Sequence, residues 1–121
     1  MSSKTINGGD TWNNVNIPTE NGSEWASLAW HALTIKVHPF DPNIVFIGGL
    51  EIYRTLDGGI SWVDLSDWSL MYSGGGDKYV HADIHDIVFN PNDPNFIAVT
   101  SDGGIFTSSN SLSSIDNPVF I

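Results

Sequence analysis

Two stretches, TINGGDTW at residues 5–12 and TLDGGISW at residues 55–62, decide how this chain is read. Each sets a hydroxyl, an Asp or Asn, two glycines, a second hydroxyl and a tryptophan in close order. A tight turn needs positive φ at one or two positions, and glycine supplies it at little steric cost. The carboxylate of Asp57, or the amide oxygen of Asn7, can accept hydrogen bonds from backbone N–H groups that the turn leaves unpaired. The hydroxyls of Thr55 and Ser61 can tie the two sides together. Trp62 opens the next strand and can fold its ring back over the turn. Read this way, the motif is a turn staple that requires no ligand.

Its recurrence makes it a ruler. Trp12 and Trp62 stand about 50 residues apart. HPFDPNIVFIG (38–48) matches NPNDPNFIAVT (90–100) at a similar offset. LEIYRTLD (50–57) matches GIFTSSN (104–110), setting Ile52 on Ile105, Tyr53 on Phe106 and Asp57 on Asn110. The chain is therefore built of units of roughly 50 residues. Within one unit, LTIKV (33–37), IVFIGG (44–49), LEIYRT (50–55) and WVDLS (62–66) read as four short strands separated by Pro-rich and Gly-rich turns. No window carries a long helical period. Repeated four-stranded antiparallel units predict an all-β chain of β-propeller blades. Residues 1–20 end one blade, 30–68 form a complete blade, and 80–121 make most of the next, so the whole is a single partial propeller of about two and a half blades. Closed propellers have about four to eight blades. Open strand edges are then expected, and with them a fragment of a larger protein or a chain completed by assembly. A two-sheet β-sandwich is the alternative architecture.

Composition narrows the partners. The chain has 121 residues and a formal net charge of −10, from four Lys and Arg against fourteen Asp and Glu. That balance offers no electrostatic footprint for nucleic acid or an anionic membrane surface. It does leave oxygen ligands for Ca²⁺ or another divalent metal, although no cofactor is required by any motif. With no cysteine, disulfides, thiolate zinc sites and cysteine nucleophiles are excluded. MSSKTINGG at the start has no apolar run of the secretory type, and no stretch predicts membrane insertion.

The two turns resemble the Asp-box, or BNR repeat, SxDxGxTW. Thr replaces the first Ser in both, Asn replaces Asp in the first copy, and Ser replaces Thr in the second. Asp-boxes occur in sialidases and in xyloglucanase-like and sortilin-type propellers. DPNIVFIGGLEIYRTLDGGISW and YVHADIHDIVFNPNDPNFIAVTSDGGIFTSS are similar to secreted multi-blade propellers of bacterial surface proteins of the Bacteroidetes type, over roughly residues 30–110. The resemblance implies an extracellular or cell-surface location, with any signal peptide outside this chain. It makes Thr5, Asn7, Gly9, Trp12, Thr55, Asp57, Gly59, Ser61 and Trp62 structural residues at the propeller periphery, away from the active face. It also makes TSSNSLSSIDNPVF (107–120) a lengthened variant of the same hairpin, with Phe120 in the place of the tryptophan.

The densest chemistry lies in VHADIHD (80–86). An extended strand would put His81, Asp83 and His85 on one face, with Ala82 and Ile84 on the other. Two imidazoles and a carboxylate could hold a metal, perform acid–base work, or simply line the propeller channel as hydrogen-bonded polar groups. The repeat sets this stretch at the head of DIVFN (86–90), the innermost strand of its blade, while the corresponding AWHALT (29–34) keeps one histidine. The loop SDWSLMYSGGGDKY (66–79) carries Trp68, Tyr72 and Tyr79 among glycines, which suits stacking on sugar rings or a protein partner, or packing back on the blades. The connector TENGSEWASLAWH (19–31) offers Trp25 and Trp30 and an NGS glycosylation sequon. GGGDK lacks the Gly-Lys-Ser/Thr of a phosphate loop.

The three-arginine cluster of sialidases cannot be complete here, since Arg54 is the one arginine and adjoins an Asp-box. A binding or architectural module is therefore expected. Its glycan or protein ligand would meet Trp68, Tyr72, Tyr79, His81, Asp83 and His85, and other blades of the parent or another chain would be its structural partners. The alternative is part of a glycoside hydrolase-like enzyme whose full site needs further blades. Asp83, Asp86 and His85 are its catalytic candidates, because such enzymes require a carboxylate pair about 5–9.5 Å apart.

Overall fold

The computed structural model describes residues 2–20, 23–24, 31–113 and 118–121. Trp25, Trp30 and most of the sequon lie outside the described residues. The chain is all-β, and its strands pair antiparallel with their neighbours in sequence. β1 (Ser2–Lys4) and β2 (Asn13–Val15) form a hairpin, and β3 (Thr19–Glu20) and β4 (Ser23–Glu24) form a very short one. β5 (Thr34–Val37), β6 (Val45–Gly48), β7 (Ile52–Thr55) and β8 (Val63–Asp64) make a four-stranded sheet in sequence order. A 3₁₀ turn, Trp68–Ser73, follows. It is capped by the Asp67 carboxylate and ended by Gly74 at φ +93, a conformation that costs glycine little. β9 (Ile84–Asn90), β10 (Asp93–Ser101) and β11 (Gly104–Ser108) complete a three-stranded sheet. No helix among the described residues is long and apolar enough to cross a membrane.

The period of two decides how the sheets meet. In the four-stranded sheet, Ile35 pairs with Ile47 and Val37 with Val45, so four apolar side chains share one face. Phe46 and Ile52 belong to the other face, which packs against the three-stranded sheet. There Ile87 pairs with Val99 and Phe89 with Ile97. Phe46, Ile52, Ile84, Ile87, Ile97 and Val99 are fully buried in this core. Burying each contributes about 1.5–3 kcal/mol relative to exposure. β6 reads VFIG without a polar residue because both of its faces are covered or nearly so.

β5 and β9 lie side by side and point the same way. At their starts, Ile84 N–H donates to Gly49 O at 2.8 Å, and Gly48 lies against Ile84. At their ends, His38 Nε2 meets Pro94 O at 2.8 Å, and the His38 ring abuts Phe89 edge-on. Lys36 and Asp86 join them midway at 2.9 Å. Antiparallel alternation then sorts the loops. Residues 31–33, 49–51, 66–83 and 102–103 gather at one end of the two sheets. The turns at 38–44, 56–62 and 91–92 lie at the opposite end.

Candidate functional site

The turn staples sit at the end away from His31, His81 and His85, and their hydrogen bonds repeat. Thr55 Oγ1 donates to Asp57 Oδ1 at 2.8 Å and accepts Gly59 N–H at 2.9 Å, while Asp57 Oδ1 accepts Ser61 N–H at 2.9 Å. In the first copy Thr5, Asn7, Gly9 and Thr11 make the same three bonds at 3.0, 2.9 and 2.9 Å. A third copy is present near the C-terminus. Ser108 Oγ donates to Asn110 Oδ1 at 3.1 Å, and Asn110 Oδ1 accepts Val119 N–H at 2.8 Å. The donors Thr11, Ser61 and Val119 each precede the aromatic residue, so Phe120 stands where Trp12 and Trp62 stand. Phe120 is buried in the core, and Ile121 exchanges two backbone hydrogen bonds with Thr107 of β11. Hydrogen bonds from Ser61, through its hydroxyl and its N–H, and from Thr55 lower the Asp57 carboxyl to about 2.

The tryptophans divide between two roles. Trp12 folds back over its own turn, with Nε1–H donating to Gly9 O at 3.0 Å, yet remains 61% exposed. Trp62 sends its Nε1–H to Asn16 O of the preceding hairpin at 2.8 Å, and Asn16 Nδ2 returns a bond to Ile60 O. The second tryptophan therefore ties one hairpin to the next sheet through its N–H.

The stretch VHADIHD does not run as a continuous strand. Asp83 has φ +65, a left-handed conformation uncommon for residues other than glycine, though Asp is among those that tolerate it. β9 begins only at Ile84, so the alternation that would align His81 and Asp83 with His85 is broken. The structure assembles a different group. Asp102, in the turn between β10 and β11, accepts from His31 Nε2 through Oδ2 at 3.1 Å and from His85 Nε2 through Oδ1. The two rings meet edge-on, with centroids 5.3 Å apart at 84°. These two bonds, His85 first and His31 second, lower the Asp102 carboxyl below the ordinary carboxylate range. His31 stands just before β5 and His85 at the head of β9, so the first strands of consecutive units supply one imidazole each.

The surroundings hold this carboxylate in place. Asp102 N–H donates to Asp83 O at 3.2 Å, and Gly103 N–H donates to Ser101 Oγ at 3.2 Å. Gly103 lies so close to the His81 ring that no side chain fits between them. His81 thus supports the turn from below, with its Nδ1 3.1 Å from Ala82 O. Asp86 is held in the ion pair with Lys36, whose hydrogen bond lowers its carboxyl. It therefore links β9 to β5. Arg54 is buried, and its Nη1 donates to Ser111 O at 2.6 Å and Ser113 O at 2.9 Å. Glu51, also buried, accepts from Ser66 Oγ at 2.5 Å and Trp68 N–H at 2.8 Å, which fixes the start of the aromatic loop. On that loop Tyr72 is 78% exposed with Trp68 edge-on beside it, whereas Tyr79 packs against Phe106.

Chemically, the group is a carboxylate shared by two imidazoles, able to pass a proton between them or to offer two nitrogens and an oxygen to a metal. The three ligand atoms lie within 4.8 Å of one another. Asp102 escapes a reading confined to VHADIHD. The available signal is hairpin register: once DIVFN pairs with IAVTS (97–101), the SDGG turn (101–104) must fall beside the head of β9. Compared with family models, with curated proteins and with solved structures, the chain finds no match.

Proposed function

We propose that the chain is a segment of an Asp-box β-propeller of a secreted or cell-surface protein, and that it serves as a glycan-binding module. The observation that carries the propeller reading is that the four-stranded sheet is apolar on both faces. One face packs on the three-stranded sheet. The other, with Ile35, Val37, Val45 and Ile47, borders a cleft of about 580 Å³ shared with β1, Trp12 and Val15. The β1–β2 hairpin reaches the outer half of this face, where Lys4 Nζ donates to Gly58 O and Val15 lies against Gly59. Ile35 and Val37, on the inner half, are 67% and 56% exposed. On the far side of the stack, Val88 and Ile105 are exposed on the outer face of the three-stranded sheet. A two-sheet sandwich presents polar outer faces. A sheet apolar on both sides suits a stack that continues with further blades of a parent protein or another chain.

The ligand end is the one bearing His31, His85, Asp102 and the loop 66–79. An exposed Tyr72 beside Trp68 offers an aromatic platform for a sugar ring, with polar groups of the same end to meet its hydroxyls. Retention on a panel of immobilised polysaccharides tests this reading. Tyr72→Ala should weaken retention about tenfold, the loss of one stacking contact of ~1.4 kcal/mol, with an unchanged far-UV spectrum. Equal retention of the variant, or retention by no polysaccharide, would defeat it.

A further inference from the structure

We propose that His31, His85 and Asp102 form a site for a divalent first-row transition ion of the zinc class, with one coordination position open to solvent. This inference stands apart from the glycan reading, and its test does not involve sugar. Zinc is held at about 2.0–2.1 Å by imidazole nitrogen and carboxylate oxygen, which sets tetrahedral ligand atoms about 3.3 Å apart. The three ligand atoms here already lie within 4.8 Å of one another, and His31 Nε2 is 3.1 Å from Asp102 Oδ2. The rings stand edge-on at 84°, and both turn their Nε2 atoms to the same carboxylate. Two imidazoles with one carboxylate favour zinc and its neighbours over Ca²⁺ or Mg²⁺, which prefer all-oxygen shells.

The site is supported from outside its ligands. Asp102 is fixed through its N–H on Asp83 O and through the glycine turn resting on His81. Asp83 combines a left-handed backbone with a buried Oδ1 that finds no hydrogen-bond partner among the described residues. Departures of this kind concentrate at functional sites. The net charge of −10 further raises the local concentration of cations. Each of the three ligand side chains is more than a third exposed, so an ion there keeps an open position for water or a ligand oxygen.

Metal-free protein titrated with zinc chloride tests the proposal by calorimetry and by NMR of the imidazole ring protons. One equivalent should shift the rings of His31 and His85 while leaving buried His38, at the opposite end of β5, unmoved. Excess calcium should not displace the zinc. Asp102→Asn and His85→Ala should each weaken binding by at least about tenfold. Absence of zinc binding, displacement by calcium, or ring shifts that include His38 would overturn the assignment. So would undiminished affinity in folded Asp102→Asn. Should either variant fail to fold, the ring shifts and calcium competition in the unaltered chain decide the matter.

Discussion

Gly48→Ala probes the contact on which the stacking of the sheets depends. A methyl group at Gly48 would lie 2.5 Å from Ile84 Cγ2, 2.8 Å from Ile84 Cβ and 3.0 Å from Thr34 Cγ2. Carbon atoms pack comfortably at about 3.5–4.0 Å, so the shortfall is about 1 Å. Ile84 cannot easily retreat. It is fully buried, and its N–H is held by Gly49 O at 2.8 Å. Overpacking of this kind costs about 1–3 kcal/mol. Ile84→Ala removes Cγ2 and leaves a cavity, at a cost of about 2–5 kcal/mol. In the double variant the new methyl meets less of its former obstacle and fills part of the cavity. The two losses should then fall short of additivity by at least about 0.5 kcal/mol. Urea unfolding of wild type, both single variants and the double variant measures this, with an unchanged m-value as the check that the transition is the same. A Gly48→Ala change within about 0.5 kcal/mol of wild type, or strict additivity, would refute the close approach of β6 to the head of β9.

Three further outcomes follow from the turns and their links. The folded Asp57 carboxyl is lowered from 3.8 to about 2, so its contribution to stability is complete above the unfolded value and is lost as pH falls through about 2. The Tm difference between wild type and Asp57→Asn should be constant above pH ~5 and shift progressively below pH ~4; a difference flat down to pH ~2 contradicts the argument. Arg54→Met leaves the carbonyls of Ser111 and Ser113 without their cationic donor and should cost about 1.5–3 kcal/mol by urea unfolding, with faster proteolysis near residues 109–113; an unchanged cleavage rate counts against that clamp. Trp62→Phe deletes the N–H bond to Asn16 and should cost about 0.5–1.5 kcal/mol, more than Trp12→Phe, whose bond closes its own exposed turn; the reverse order in thermal melts would show that the link between hairpins is unimportant.

The turns were legible because their bonds are local. Thr55, Asp57, Gly59 and Ser61 interact over four residues or fewer, and the spacing of residue types dictates those bonds directly. The strands were legible from alternation and turn chemistry, and the repeat indicated which would pair. Expectation failed at Asp83, where a polar residue able to take a left-handed backbone interrupted a pattern that reads as extended.

The amino-acid sequence by itself determined an all-β chain of repeated hairpins, its glycine staples, and the segments that carry histidine and exposed aromatics. Tertiary structure alone decided that His31 and His85 meet on Asp102, across 71 and 17 residues of chain. It also decided that Asp86 is taken by Lys36, and that Arg54 clamps the C-terminal turn. The physical reason is range. Turn geometry and strand alternation are properties of a few consecutive residues. A shared carboxylate depends on how two sheets stack, and that stacking is set by apolar faces and by one glycine contact that no local pattern encodes.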